Sequence, residues 1–155
     1  MSYNNERFDR PVVIFDSSII ISLLECKVNP ISDIERVLTT KFIPTVLSGT
    51  LLELKDLLRH SKGEKRKKKL ALALKSVEKF KSLDYVPIDK EEMDDVILRV
   101  ARDLKAIVAT NDGKLRRILT KMNIPVLFLR EKSHIEMDGY VSDLTGRPNP
   151  LDSQS

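Results

Sequence analysis

Four carboxylates stand at the edges of elements that the hydrophobic pattern of this chain predicts: Asp16, Glu53, Asp94 and Asp112. Asp16 closes the apolar run VVIF, and Asp112 follows AIVATN. Glu53 and Asp94 lie in the helical stretches TLLELKDLL and DDVILRVA. Carboxylate oxygens are the donors that hard cations such as Mg2+ or Mn2+ take. Crowded into one crevice, four acids repel one another and some titrate high, a penalty that a divalent ion removes. Such an ion can activate water for in-line attack at phosphorus and stabilise the leaving oxygen. If the fold gathers these acids, the chemistry they suit is metal-dependent phosphodiester hydrolysis.

Each acid also has a plainer explanation. Asp16 can cap a short helix opening at Ser17, and Asp112 can cap the helix after it. Asp94 and Asp95, like Glu91 and Glu92, fall in early helical turns, where the macrodipole favours acids by ~0.3–1 kcal/mol each. Asp94 rather than Asp95 lies three residues before Ile97, beside the apolar stripe, and is the better inward candidate. Glu53 sits among Leu51, Leu52, Leu54 and Leu57. A carboxylate on so apolar a helix must be paired (Lys55 is adjacent), protonated, metal-bound or turned to solvent.

The elements that must position these acids alternate. Strand-like runs at 11–15, 41–44, 85–88, 106–109 and 125–129 are separated by helical patterns. The helices run from Ser17 to about Leu24, over 30–38, and from a Ser48 cap to about Leu58. A longer one starts at a Ser61–Glu64 capping box and reaches Lys81, with Leu70, Leu72, Leu74, Val77 and Phe80 available for burial. Another runs from an Asp89 cap to Leu104. The last follows Asp112, with Leu115, Ile118, Leu119 and Met122 on one face. Met93, Val96, Ile97, Val100, Ala101 and Leu104 form an unbroken helical stripe. Alternating strands and helices imply a mostly parallel sheet, with ligands beyond the carboxyl ends of its strands. The polar stretch 130–144 can carry a hairpin or an edge strand.

At 155 residues with one cysteine, Cys26, the chain suits a single domain without disulfides or a cysteine zinc cluster, in a reducing cytoplasm. No apolar stretch is long enough to span a membrane, and the polar start is no signal peptide. The net charge is +4, yet residues 59–69 alone carry seven Lys or Arg against one Glu. That run, Arg59, Lys62, Lys65, Arg66, Lys67, Lys68 and Lys69, can neutralise phosphates, or it can be a solvated helix face. Basic residues in a first helical turn oppose the macrodipole, so helix stability does not explain them. No aromatic residue interleaves, so the run would hold a backbone without stacking bases. Arg116 and Arg117 lie nearer the proposed site of cleavage. His60 and His134 fall in polar segments and read as surface residues.

FDSS, then Glu53-Leu54, DDVILRVA and VATND, in that order, resemble the PIN-domain nucleases over residues 11–130. PVLFLREK and IEMDGY are similar to the end of archaeal relatives of the eukaryotic small-subunit-processome PIN nuclease. The resemblance implies an α/β three-layer sandwich with a five-stranded parallel sheet of order 3-2-1-4-5. It implies Mg2+- or Mn2+-dependent RNA cleavage, with Asp16 and Asp112 as direct ligands and Glu53 and Asp94 as ligands or acting through water. Ser18 and Thr110 would supply supporting hydroxyls. The domain would cover 11–144, between an N-terminal extension (1–10) and a disordered tail (145–155). Many relatives have Asp-Thr-Asn where this chain has Asp16-Ser17-Ser18. Gly113 and Lys114 stand where some carry a further acid, which puts a second metal in doubt.

The resemblance leaves rRNA processing, a toxin held by an antitoxin, and an RNA-binding or ribosome-assembly module with little activity as alternative roles, and a homodimer is plausible within the family. A haloacid-dehalogenase-type phosphatase would need an acid at Ser18. No P-loop lysine motif or Rossmann glycine fingerprint is present.

Overall fold

The computed structural model describes residues 10–26 and 29–139. The expected N-terminal extension and C-terminal tail lie essentially outside them. Six strands form one sheet: β1 (Val12–Phe15), β2 (Ile43–Leu47), β3 (Lys81–Leu83), β4 (Ile107–Ala109), β5 (Val126–Arg130) and β6 (His134–Asp138). Their order is β3-β2-β1-β4-β5-β6. The first five are parallel, and β6 runs antiparallel along β5. The α/β fold and the 3-2-1-4-5 order hold, with a sixth strand added at one edge.

Strand β1 lies at the centre, and its alternation divides the core. Val13 and Phe15 point to one face, with residues from α1 (Ser17–Ser22), α2 (Pro30–Leu38), α3 (Ser48–His60) and α4 (Glu64–Ser76). Ile14 points to the other, with Val96, Ile97, Val100 and Ala101 of α5 (Met93–Leu104) and Leu115 and Leu119 of α6 (Gly113–Lys121). The result is three layers. Phe15 packs against Phe80 at 4.9 Å and Phe42 at 6.4 Å between ring centroids. Truncating such a buried ring costs about 3–5 kcal/mol. It immediately precedes Asp16, so core packing fixes where that acid emerges.

Several boundaries differ from the sequence expectation. The third strand is Lys81–Leu83, not 85–88. Pro87 has no N–H for a ladder, and Val86 and Ile88 are 41% and 60% exposed. Strand β2 extends to Leu47 despite Pro44. Ile43 donates to Pro11 O, toward β1, at 2.8 Å. Pro44 therefore faces the β3 side, where pairing begins only at Thr45.

Helix starts shift for local reasons. Ser48 is the first residue of α3 and not its cap; its hydroxyl instead reaches Asp84 Oδ1 and Tyr85 O, both at 3.1 Å. The Ser61–Glu64 capping box does not form. Gly63, at φ 92°, precedes α4 with no side-chain cap, and the Ser61 hydroxyl is buried without a partner among the described residues. Helix α4 ends at Ser76, well short of Lys81, and Leu72, off the face that buries Leu70 and Ala73, is half exposed. Asp89 adopts φ 59° and caps nothing. Glu92 precedes α5, and Asp95 accepts the Glu92 N–H at 2.9 Å. Met122 lies past the end of α6 and is exposed.

The stretch after β5 is both a hairpin and an edge strand. Glu131 and Lys132 take left-handed backbone at φ 52° and 58°, and Ser133 N–H closes the turn on Arg130 O at 2.9 Å. Such turns match the twist of paired strands. Outward from β6, the Ile135 N–H is taken by Asp33 Oδ2 of α2 at 2.7 Å. A charged acceptor thus occupies a group that an open sheet edge would otherwise offer.

Candidate active site

The carboxyl ends of β1, β2 and β4 deliver the site. Asp16 follows β1 directly and is 6% exposed. Its backbone N–H bonds to Ala109 O of β4 at 3.0 Å. Oδ1 accepts the Ser17 N–H at 2.8 Å; Oδ2 accepts the hydroxyls of Ser18 and Thr110, each at 2.7 Å. Asp16 is therefore a helix cap, in line with the plainer explanation. It is also a buried carboxylate held by three donors, which makes its burial tolerable.

Thr110, fully buried after β4, carries the arrangement onward. Its oxygen accepts the Asp112 N–H at 3.0 Å and lies 3.2 Å from Ser18 Oγ. Asp112 caps α6, with Oδ1 accepting from Lys114 N at 2.9 Å and Leu115 N at 3.2 Å. Sequence reasoning passes over Asn111. Its N–H donates to Ser18 Oγ at 3.1 Å, and its side-chain oxygen accepts the Leu129 N–H at 2.8 Å. That ties the Asp112 turn to both α1 and β5. The available signal is an Asn at a strand end, a residue type whose side chain bonds nearby backbone.

Glu53 and Asp94 come from opposite layers, on α3 and α5, and both are half-buried. Neither carboxylate has a hydrogen bond or ion pair among the described residues, so the suggested Glu53–Lys55 pair is absent. Burial pushes the Asp94 carboxyl up, and the charges of Asp16, Asp112 and Glu53 push it further, with a contribution from Glu92. The other three acids thus lie close enough to act on Asp94. Asp95 is exposed and spent on the Glu92 N–H. The separation of Asp94 from Asp95 follows from that cap.

The donor set is all carboxylate oxygen, the chemistry that a hard cation takes. Among the described residues no three His, Cys, Asp or Glu side chains are already drawn together around one point. A cation here would have to pull Glu53 and Asp94 inward against their mutual repulsion, which its charge would offset.

The basic residues divide. Lys62, Lys65, Arg66, Lys67 and Lys68 are exposed and make no ion pair among the described residues. Arg59 pairs with Asp56 at 3.0 Å. Lys69 is bonded to Glu25, which also holds Lys132 at 2.7 Å. Bonds from Lys132 and then Lys69 pull the Glu25 carboxyl down to about 2. Arg116 lies 3.5 Å over the Phe128 ring and bonds Asp138 at 2.9 Å, so it is engaged in the β5–β6 surface. Arg117 reaches back toward the start of α6: its Nη1 stands 3.4 Å from where a Cβ on Gly113 would lie. His60 and His134 are exposed; His60 bonds Asp56 O and His134 bonds Glu136. Among the described residues no helix is long and apolar enough to cross a membrane.

Comparison with known proteins agrees with this geometry. Residues 13–132 match the family described as PIN like domain. The chain is 38% identical over 132 residues to Ribonuclease VapC4 of Methanocaldococcus jannaschii, covering 83% of this chain and 98% of that protein. Its fold is similar to the structure of the PIN domain endonuclease Utp24, with a TM-score of 0.67 at 24% identity, covering 84% of this chain and 93% of that one. With four acids at the carboxyl edge of a 3-2-1-4-5 sheet and a family match across nearly all of its folded length, the chain belongs to the PIN-like domain family.

Proposed function

We propose that this protein is a divalent-metal-dependent endoribonuclease, with Asp16, Glu53, Asp94 and Asp112 holding Mg2+ or Mn2+. The observation that carries this reading is the linkage of Asp16 and Asp112 through Thr110 at the carboxyl end of the sheet, close enough, with Glu53, for their charges to raise the carboxyl of Asp94. A bound divalent ion supplies Lewis-acid activation of water and neutralisation of charge at phosphorus.

The protein's own part is positioning. Ser18 and Thr110 hold Asp16 in one orientation through its Oδ2. The α6 N-terminus fixes Oδ1 of Asp112, which leaves Oδ2 without a partner among the described residues. Glu53 and Asp94, on α3 and α5, keep their carboxylates without a hydrogen-bond partner among the described residues. Arg117, bent toward Gly113, is placed to meet a phosphate, and Lys62 to Lys68 supply a sequence-blind hold on the backbone.

RNA as substrate is supported by the name of the relative VapC4, matched over almost its whole length. The same match favours a toxin-type ribonuclease controlled by a protein partner, as a second reading. The role in rRNA processing has only the likeness of fold to Utp24 behind it. Incubation with single-stranded RNA, with Mg2+ or Mn2+ or with EDTA, beside Asp16→Asn, tests the proposal. Cleavage that needs metal and is lost in the variant is expected. Cleavage surviving EDTA and the variant sinks the metal mechanism, and binding without cleavage identifies an RNA-binding module.

A further inference from the structure

The start of α3 meets the start of α5 at an unusually close contact. Gly49, in the first turn of α3, has helical neighbours and no need of a positive φ. Backbone conformation therefore does not call for glycine here, and the close contacts around it supply a steric reason. A Cβ on Gly49 would stand 2.5 Å from Met93 Sδ, 3.1 Å from Met93 Cε and 3.1 Å from Tyr85 O. A thioether can swing aside. The Tyr85 carbonyl is harder to move, because it accepts the Gly49 N–H at 2.9 Å and the Ser48 hydroxyl at 3.1 Å.

The segment carrying that carbonyl is itself braced on α5. Arg99 lies 5.9 Å from the Tyr85 ring centroid and forks onto Glu91 at 3.2 and 3.0 Å. Glu91 also accepts the Ile88 N–H at 3.0 Å. Loop and helix therefore back each other, and a methyl group on residue 49 would wedge α3 away from both. One turn beyond Gly49 is Glu53. Next to Met93 is Asp94.

We propose that Gly49 is a positioning residue that sets the spacing of Glu53 and Asp94, and through it the size of divalent cation the four acids accept. The inference rests on the metal reading above and adds ion selectivity to it. Mg2+ demands near-octahedral geometry at ~2.0–2.1 Å, whereas Ca2+ accepts looser shells at ~2.3–2.6 Å. A wedge at Gly49 therefore penalises Mg2+ more than Ca2+.

The test is calorimetric titration of the full chain with MgCl2 and with CaCl2. Gly49→Ala is expected to weaken Mg2+ binding by about 10–100-fold, the usual effect of a disturbed outer shell, and Ca2+ binding much less. The double variant Gly49→Ala/Met93→Ala clears the thioether contact but leaves the Tyr85 carbonyl 3.1 Å away, so it should recover only part of the Mg2+ preference. A merely structural role for Gly49 would lower the melting temperature and leave the Mg2+/Ca2+ ratio alone. That unchanged ratio, or a changed ratio that the double variant does not restore even in part, overturns the proposal. If Gly49→Ala does not fold, Met93→Phe fills the same gap from α5 and must show the same loss. Failure of the unaltered chain to bind either ion overturns the metal reading together with this one. Binding by the unaltered chain with an insensitive variant overturns only this one.

Discussion

The Thr110 hydroxyl donates to Asp16 Oδ2 at 2.7 Å while its oxygen accepts the Asp112 N–H at 3.0 Å. One buried hydroxyl thus fixes two of the four acids. Thr110→Val keeps the shape and removes both bonds. It should cost about 1–3 kcal/mol, as expected when buried polar groups lose a partner. Metal-dependent cleavage should fall as well, while Thr110→Ser keeps most of both. Urea melts and an RNA cleavage assay on the two variants check this; equal stability of Thr110→Val and the parent chain would count against it.

Asp94 sits half-buried, its carboxyl raised by burial and by four other carboxylates, with no base among the described residues paired to it. Asp94→Asn removes one of the mutually repelling charges. The metal-free variant should therefore melt higher than the parent at neutral pH, and it should lose the stabilisation that Mg2+ or Mn2+ gives. Thermal melts with EDTA and with metal separate the two effects. A variant that melts lower in EDTA would show that Asp94 is a structural acid.

Five exposed basic residues, Lys62, Lys65, Arg66, Lys67 and Lys68, are free of ion pairs among the described residues, whereas Lys69 is committed to Glu25. Replacing Lys65, Arg66, Lys67 and Lys68 by Gln should weaken RNA binding. It should also flatten its log–log salt dependence by up to ~0.7 for each phosphate contact removed. Lys69→Gln should affect binding less. Titrations at several salt concentrations measure the slope, and an unchanged slope assigns the patch to something other than a nucleic-acid backbone.

Asp33 clips α2 to the sheet edge through the Ile135 N–H. Burial alone would raise its carboxyl, but the Ile135 N–H and then Arg36 outweigh that and hold it below its ordinary value of 3.8. A depressed folded value means that the stabilisation is present above the ordinary pKa and is lost as pH falls through the folded one. Asp33→Ala should cost about 1–3 kcal/mol at neutral pH, mainly from the unpaired amide. The gap to the parent chain should narrow below about pH 4. Urea midpoints at pH 7, 5 and 3.5 read this directly, and a gap that widens in acid contradicts the sign.

Much of this arrangement is written in the residues themselves. The run PVVIF has the unbroken apolar character of a central parallel strand, and Met93 to Leu104 repeats at helical spacing, so β1 and α5 are legible from period alone. Asp16 and Asp112 are legible because strand ends in such sheets face ligands. Strand β3 is not, because Lys81-Ser82-Leu83 carries no alternation and is too short to declare itself beside the more apolar YVPI. The β5–β6 turn uses Glu131 and Lys132 in left-handed backbone without the Asn-Gly signature that announces such turns. The contact made by Gly49 is invisible in sequence because it depends on Met93 and Tyr85, which come from other elements. Glu53 illustrates a mixed outcome: its half-burial follows from its leucine neighbours, but its lack of a partner among the described residues is a tertiary fact.

The bond from Thr110 to Asp16 spans 94 residues, and this has a consequence for synthesis. During translation Asp16 leaves the ribosome long before Thr110, Asn111 and Asp112, and α5 with Asp94 also follows late. Until β4 inserts beside β1, the acids have no common frame. A growing chain therefore lacks the assembled four-acid arrangement until β4 and the turn after it have left the ribosome and β4 has joined β1.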